Sequence, residues 1–236
     1  MKTGSILALA MLALAAPVSG KDKELPYREY KAGEPVVLAP DTAYLLVRSI
    51  DLWGFRFVRI AGDDGSVADP AEFAEFPGYR SFDKSLPVRT HVLAVRPGTY
   101  WLYGEKTGFH LEGPFLNCLC MGTIRFDAKP GVITDLGTIR DLAKETGNGK
   151  RADARGVTHQ LLGNATARAI LVEPVSDKDP VPASLAALTR VPAGYRAAGT
   201  LPNLDGTMID RISVMPGILR YERDEIIDAK TGQRLR

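Results

Sequence analysis

The 236-residue chain has only two cysteines, three histidines and two tryptophans. With so few cysteines there is no paired C-x-x-C motif, the strong sequence sign of a metal site. His91, His110 and His159 lie far apart, and no H-E-x-x-H, H-x-H or G-x-S-x-G pattern accompanies them. An excess of one charge is also missing. The 30 basic and 28 acidic side chains leave a net charge of +2. That balance argues against a strong electrostatic draw toward nucleic acid or anionic lipid. Long apolar runs are absent with one exception, Ile6 to Ala16.

That exception reads as the core of a secretory leader. Met1-Lys2 supplies a short positive start, Pro17 breaks the run, and Val18-Ser19-Gly20 offers small or modest side chains before Lys21. As a helix the run spans about 16 Å, far short of a ~30 Å hydrocarbon core. A cleavable signal peptide over residues 1–20 is therefore expected, in preference to an uncleaved anchor. The first cysteine is Cys118, so no lipid-modified cysteine stands at the cleavage point. Removing the leader takes away Lys2 alone as charge, leaving 29 basic and 28 acidic groups and a mature net charge of +1. The expected product is an exported, periplasmic or secreted chain with no integral membrane segment.

What remains is rich in turns, with 23 Gly and 16 Pro in the whole sequence. Residues 21–33 form a charged lead-in. From Glu34 short β-rich runs alternate with Gly, Pro and Asp: Val36 to Leu38, Ala43 to Ile50, Phe55 to Ile60, His91 to Arg96, Thr99 to Tyr103, Phe115 to Phe126 and Val132 to Ile139. Pro97-Gly98 and Pro130-Gly131 suit the two central positions of a turn, giving two strand–turn–strand units. Phe73, Phe76, Tyr79 and Phe82 stand as apolar pins in an irregular stretch. The expected fold is all-β: an antiparallel β-sandwich over 34–143 with Pro-Gly hairpins. Residues 144–155 read as a linker or surface loop. Residues 156–236 read as a Pro-rich extension of short mixed elements packing on the sandwich, with one helix candidate at Ala183 to Arg190.

The segments Val95-Arg96-Pro97-Gly98-Thr99-Tyr100, Phe126-Asp127-Ala128-Lys129-Pro130-Gly131 and Leu136-Gly137-Thr138-Ile139 carry a resemblance. They resemble small exported modules of bacterial envelope proteins, similar to PEGA-like and carboxypeptidase-regulatory-like (transthyretin-like) domains. The resemblance covers about Glu34 to Arg140. It implies a β-sandwich and an envelope location, and its motifs specify turns rather than chemistry. Ala197 to Asp228 resembles the tail of exported bacterial proteins and implies no activity.

Cys118-Leu119-Cys120-Met121 is the most distinctive chemical feature. Three readings stay open. Export favours oxidation, within the chain or across a dimer, although residues i and i+2 of a strand sit about 6.5 Å apart, near the limit for a disulfide. A continuous strand would instead place Cys118, Cys120, Ile124 and Phe126 on one face as small apolar side chains. Third, Cys118 and Cys120 with Met121 or His110 offer a soft-metal set for Cu or Zn. No other cofactor is expected. His91 reads as half-exposed at the start of a strand. His110 reads as a loop residue between Glu105 and Glu112. Asp63-Asp64-Gly65 with Asp69 reads as a turn rather than a cation loop.

Trp53, Trp101 and Tyr103 are ligand-platform candidates for a glycan or protein. Trp101 and Tyr103 share one strand face while Tyr100 and Leu102 share the other, which also suits a central strand covered twice. The mixed charges from Asp210 to Asp228 suit a solvated edge. The leading functional expectation is a non-enzymatic cell-envelope protein that binds an unknown envelope protein or glycan, or serves structurally. A soft-metal or thiol-redox role at Cys118 and Cys120 is the alternative, and an unrecognised hydrolase the second alternative.

Overall fold

The computed structural model describes residues 27–50, 54–62, 68, 72–77, 80–110, 113–119, 123–141, 170–199, 213–222 and 225–235. The fold is all-β, as expected, with two stacked and largely antiparallel sheets. The strands are β1 (Tyr27–Glu29), β2 (Ala43–Ile50), β3 (Gly54–Ile60), β4 (Phe73–Pro77), β5 (Arg89–Val95), β6 (Gly98–His110), β7 (Gly113–Cys118) and β8 (Thr123–Ala128). They continue with β9 (Ile133–Asp141), β10 (Ile170–Glu173), β11 (Arg190–Pro192), β12 (Arg196–Ala198), β13 (Ser213–Val214), β14 (Leu219–Glu222) and β15 (Glu225–Asp228). The first sheet runs β1-β5-β2-β9-β10-β13, with β11 also on β9. The second runs β12-β8-β6-β3-β4, with β7 also on β6, and β14–β15 form a separate hairpin.

Alternation along β2 explains the layering. Leu45 and Val47 enter the core between the sheets, where they meet Phe55, Phe57, Leu93, Leu102, Phe126 and Leu136. Tyr44 and Leu46 point the other way, into a second cluster with Tyr30, Val36, Phe82, Val92, Ile133 and Leu185. The second sheet has a covered outer side too, where Val58, Ile60, Trp101, Tyr103 and Ala198 cluster. A strand with apolar side chains on both parities is a strand buried on both faces.

Both Pro-Gly pairs fall between strands as expected, although Gly98 already belongs to β6, and the strands they join lie in different sheets. β5 lies in the first sheet and β6 in the second; β8 lies in the second and β9 in the first. These turns are therefore the corners of the sandwich and not hairpins between paired neighbours. The paired hairpin of this region is β6–β7. It carries His110, expected in a loop, as the last residue of β6. The single strand expected over Phe115 to Phe126 is two strands, β7 and β8, both paired to β6.

Other expectations shift for local reasons. Val36 to Leu38 is not a strand: the Tyr44 hydroxyl donates to Val37 O and accepts the Ala39 N–H, at 2.8 and 2.9 Å, as a neighbouring strand otherwise would. Tyr27–Glu29, inside the charged lead-in, is the edge strand of the first sheet. The helix candidate after Pro182 shrinks to one 3-10 turn at Ala183–Leu185 without a side-chain cap, and the chain is extended again by Arg190. No helix among the described residues is long and apolar enough to cross a membrane.

β9 pairs with three strands. One edge pairs in parallel with β2. The other is divided, with Ile133 to Asp135 facing β11 and Thr138 to Asp141 facing β10. Gly137 sits at the changeover with φ +72°, and a Cβ built there would lie 2.1 Å from Glu173 O. Gly232 has nearly the same φ, +70°, with nothing within 4 Å. Gly137→Ala should therefore destabilise by about 3 kcal/mol or more, and Gly232→Ala by about 1 kcal/mol, the backbone part alone. Urea unfolding of both variants checks this. Equal losses would remove the steric account of Gly137.

Candidate functional site

Three polar clusters are built by the described strands. The deepest joins β2 to β9. Arg48 falls on the parity of Tyr44 and Leu46, so it points into the covered outer face, and it is 0% exposed. Asp135, 1% exposed, meets it two-pronged: Nη1 to Oδ1 at 2.7 Å and Nη2 to Oδ2 at 3.0 Å. Arg48 Nε donates to Pro180 O at 2.8 Å. Asp135 Oδ1 also accepts the Gly137 N–H at 3.0 Å, and Arg190 Nε lies 3.3 Å from Oδ2. Both charges thus have several charge-assisted bonds, the condition under which a desolvated pair is tolerated.

The second cluster lies near the strand ends on the inner face. Ser49 and His91 are each 1% exposed, and Ser49 Oγ is 3.1 Å from His91 Nε2. His91 Nδ1 lies 3.6 Å from Glu29 Oε1, and Arg80 Nη1 lies 3.7 Å from Glu29 Oε2. The two ring nitrogens face a serine and a carboxylate in the order of a nucleophile relay. Ser49 is closed to solvent, so no acyl group reaches its Oγ in this arrangement. As a structural unit the cluster ties three strands, β1, β5 and β2, through one imidazole.

The third cluster lies at one end of the second sheet, beside Tyr100. Glu72 is buried between Arg59 and Arg96, with an ion pair to each. The hydrogen bond from Arg59, with the charge of Arg96 beside it, holds the Glu72 carboxyl below the usual carboxylate range against the opposing effect of burial.

The sequence-derived candidates are distributed differently. His91, expected half-exposed, is buried because both faces of its strand are covered. Trp101 and Tyr103 are buried in the outer cluster of the second sheet, which removes them as an exposed platform. In the β6–β7 ladder His110 faces Gly113 while Cys118 faces Gly104. Six residues of strand separate those positions, about 20 Å at ~3.3 Å each, so the backbone does not bring His110 and Cys118 to one metal. Cys120, Met121, Trp53, His159, Asp63-Asp64-Gly65 and Asp69 lie outside the described residues, as do the side chains of His110 and Cys118. Among the described residues no three His, Cys, Asp or Glu side chains are grouped to hold a metal ion.

Sequence reasoning missed Arg48, Asp135 and the Ser49–His91–Glu29 contact. A signal for Arg48 was present: a charge inside AYLLVRSI, apolar on both parities, must find a buried partner. Nothing local identifies that partner as Asp135, 87 residues away.

Asp135→Asn should cost about 3–5 kcal/mol, because it leaves the Arg48 charge buried and half-matched. The double variant Arg48→Met/Asp135→Leu should recover most of that loss. Denaturant unfolding of both singles and the double closes the cycle; purely additive losses would mean the pair is not coupled. For Glu72, a folded value below the unfolded one means the stabilisation is full above the ordinary carboxylate range. It is lost as pH falls through the lowered folded value. Glu72→Gln should be less stable at neutral pH and flatter on acidification. Urea midpoints at pH 7, 5 and 3 test this, and parallel curves for wild type and variant would contradict it.

No protein-family model, curated protein or solved structure matches the chain.

Proposed function

We propose that this chain is an exported, non-enzymatic β-sandwich protein of the bacterial cell envelope that works by binding another envelope protein or a glycan, or structurally. The observation that carries the reading is the fate of its reactive groups. Arg48, Asp135, Ser49 and His91 are bonded to one another inside the fold and closed to solvent. Groups consumed in this way hold strands together and are not presented to a substrate. The leader-like residues 1–20 support the location, and the resemblance of Glu34 to Arg140 to exported modules agrees with it.

Ser49 and His91 give the one specific test against the non-enzymatic part. A fluorophosphonate probe at micromolar concentration should leave Ser49 unlabelled in the native chain. Labelling that disappears in Ser49→Ala and His91→Ala would replace this reading with a serine hydrolase. For location, the full chain expressed in a bacterial host should appear in the fraction released by osmotic shock, with an N-terminus near Lys21. Uncleaved chain held in the cytoplasm or the membrane pellet would count against export.

A further inference from the structure

We infer that the edge of β5 covered by β1 is a strand-addition site, which an extended peptide with an aromatic-x-carboxylate pattern can occupy in place of Tyr27–Glu29. This deepens the binding reading and rests on it.

The resident strand is a short element at one margin of the first sheet. Three of its residues are described; they stand at the sheet edge and, among the described strands, pair with β5: Tyr27 with Val95, Arg28 with Ala94 and Glu29 with Leu93. Short edge pairings open at the low end of a protein's local stability range. The chain just after it is well held. Tyr30 is buried in the outer cluster and its N–H donates to Val92 O at 2.9 Å. β1 can therefore leave by turning between Glu29 and Tyr30, with Tyr30 and the chain beyond it still seated.

The side chains of β1 define what a replacement must carry. Glu29 reaches inward to His91 at 3.6 Å and is flanked by Arg80 at 3.7 Å, so this position takes a carboxylate. Ser49 holds the imidazole from the other side at 3.1 Å and fixes its orientation whichever strand is present. Tyr27, partly buried, packs against the main core, so that position takes an aromatic ring. Arg28 is largely exposed, pairs with Glu34 and lies over the Tyr30 ring, so the middle position sends no side chain into the core. Main-chain bonds to the β5 edge supply affinity and the two inward pockets supply selection, as in other strand-addition sites.

The test uses the full chain. In hydrogen exchange, residues 27–29 should exchange at least about tenfold faster than residues 45–47 of central β2. A fluorescein-labelled peptide, ELPYREYK, copies residues 24–31. It should bind the Glu29→Gln chain saturably and at least about fivefold tighter than the wild-type chain, whose own strand competes better. The same peptide with Gln at the Glu29 position should bind about fivefold more weakly or worse, and His91→Ala in the chain should erase that preference. The inference is overturned if residues 27–29 exchange as slowly as residues 45–47. It is equally overturned if a folded Glu29→Gln chain binds neither peptide. Such a failure leaves the envelope-binding reading to its own fractionation and labelling tests, which do not involve β1.

Discussion

The bidentate pair of Arg48 and Asp135 is the constraint on which the first sheet depends. Two full charges have been taken from water at the middle of a covered sheet face. Neither is tolerable there alone. The parallel register of β2 against β9 must therefore place Asp135 beside Leu46 and within reach of Arg48, as it does. A one-residue slip would turn Asp135 toward the apolar core between the sheets. The pair also recruits chain distant in sequence. Pro180 O takes the third Arg48 bond, and Arg190 stands against the second carboxylate oxygen. Residues 176–192 are thus tied to the sandwich by the bonds that complete the buried charges.

The same requirement explains the division of the β9 edge. β11 covers the first part, next to Asp135, and β10 covers the second. Between them the chain needs a residue without a side chain, because Glu173 O passes through the space a Cβ would fill. Asp135 accepts the N–H of that residue, Gly137, so the buried charge and the left-handed turn fix each other. The Tyr195 hydroxyl donates to Leu136 O at 2.7 Å, and the Ala193 N–H donates to Asp135 O at 2.8 Å. Two consecutive residues of β9, Asp135 and Leu136, are in this way joined to chain from beyond residue 190.

Much of the layer structure was legible because it rests on period-two alternation. Ala43 to Ile50 and Phe55 to Ile60 declare themselves by pattern and composition, and Pro97-Gly98 and Pro130-Gly131 mark reversals. Which sheet each reversal leads to is set by long-range pairing, and a turn signal carries no information about that. β1 was illegible for a different reason. Three residues with two charges, Tyr-Arg-Glu, are too short a pattern to read as a strand, and they pair with the edge of β5. His91 looked like a strand-end residue that water could reach. Its burial depends on β1 and on the β2 neighbour, neither of which lies near it in sequence.

The Ser49–His91–Glu29 contact can be weighed as chemistry or as fastening, and its geometry favours fastening. A nucleophile relay needs an open approach to the serine oxygen, and Ser49 has none. It also needs a tight bond from the imidazole to its acid, whereas 3.6 Å separates Nδ1 from Glu29. A fastening needs neither. It asks only that a short strand be held at a defined register by facing side chains. The serine hydroxyl can donate or accept, so it suits either tautomer of the ring and leaves the other nitrogen to face whatever acid the edge strand brings. Because Glu29 faces His91 of the adjacent strand, that contact depends on the edge strand being seated. Arg48 and Asp135 show the opposite arrangement, with both partners on central strands and both ends closed. The first sheet is locked at its centre and releasable at its margin, and a protein that binds by exchanging a strand requires that asymmetry.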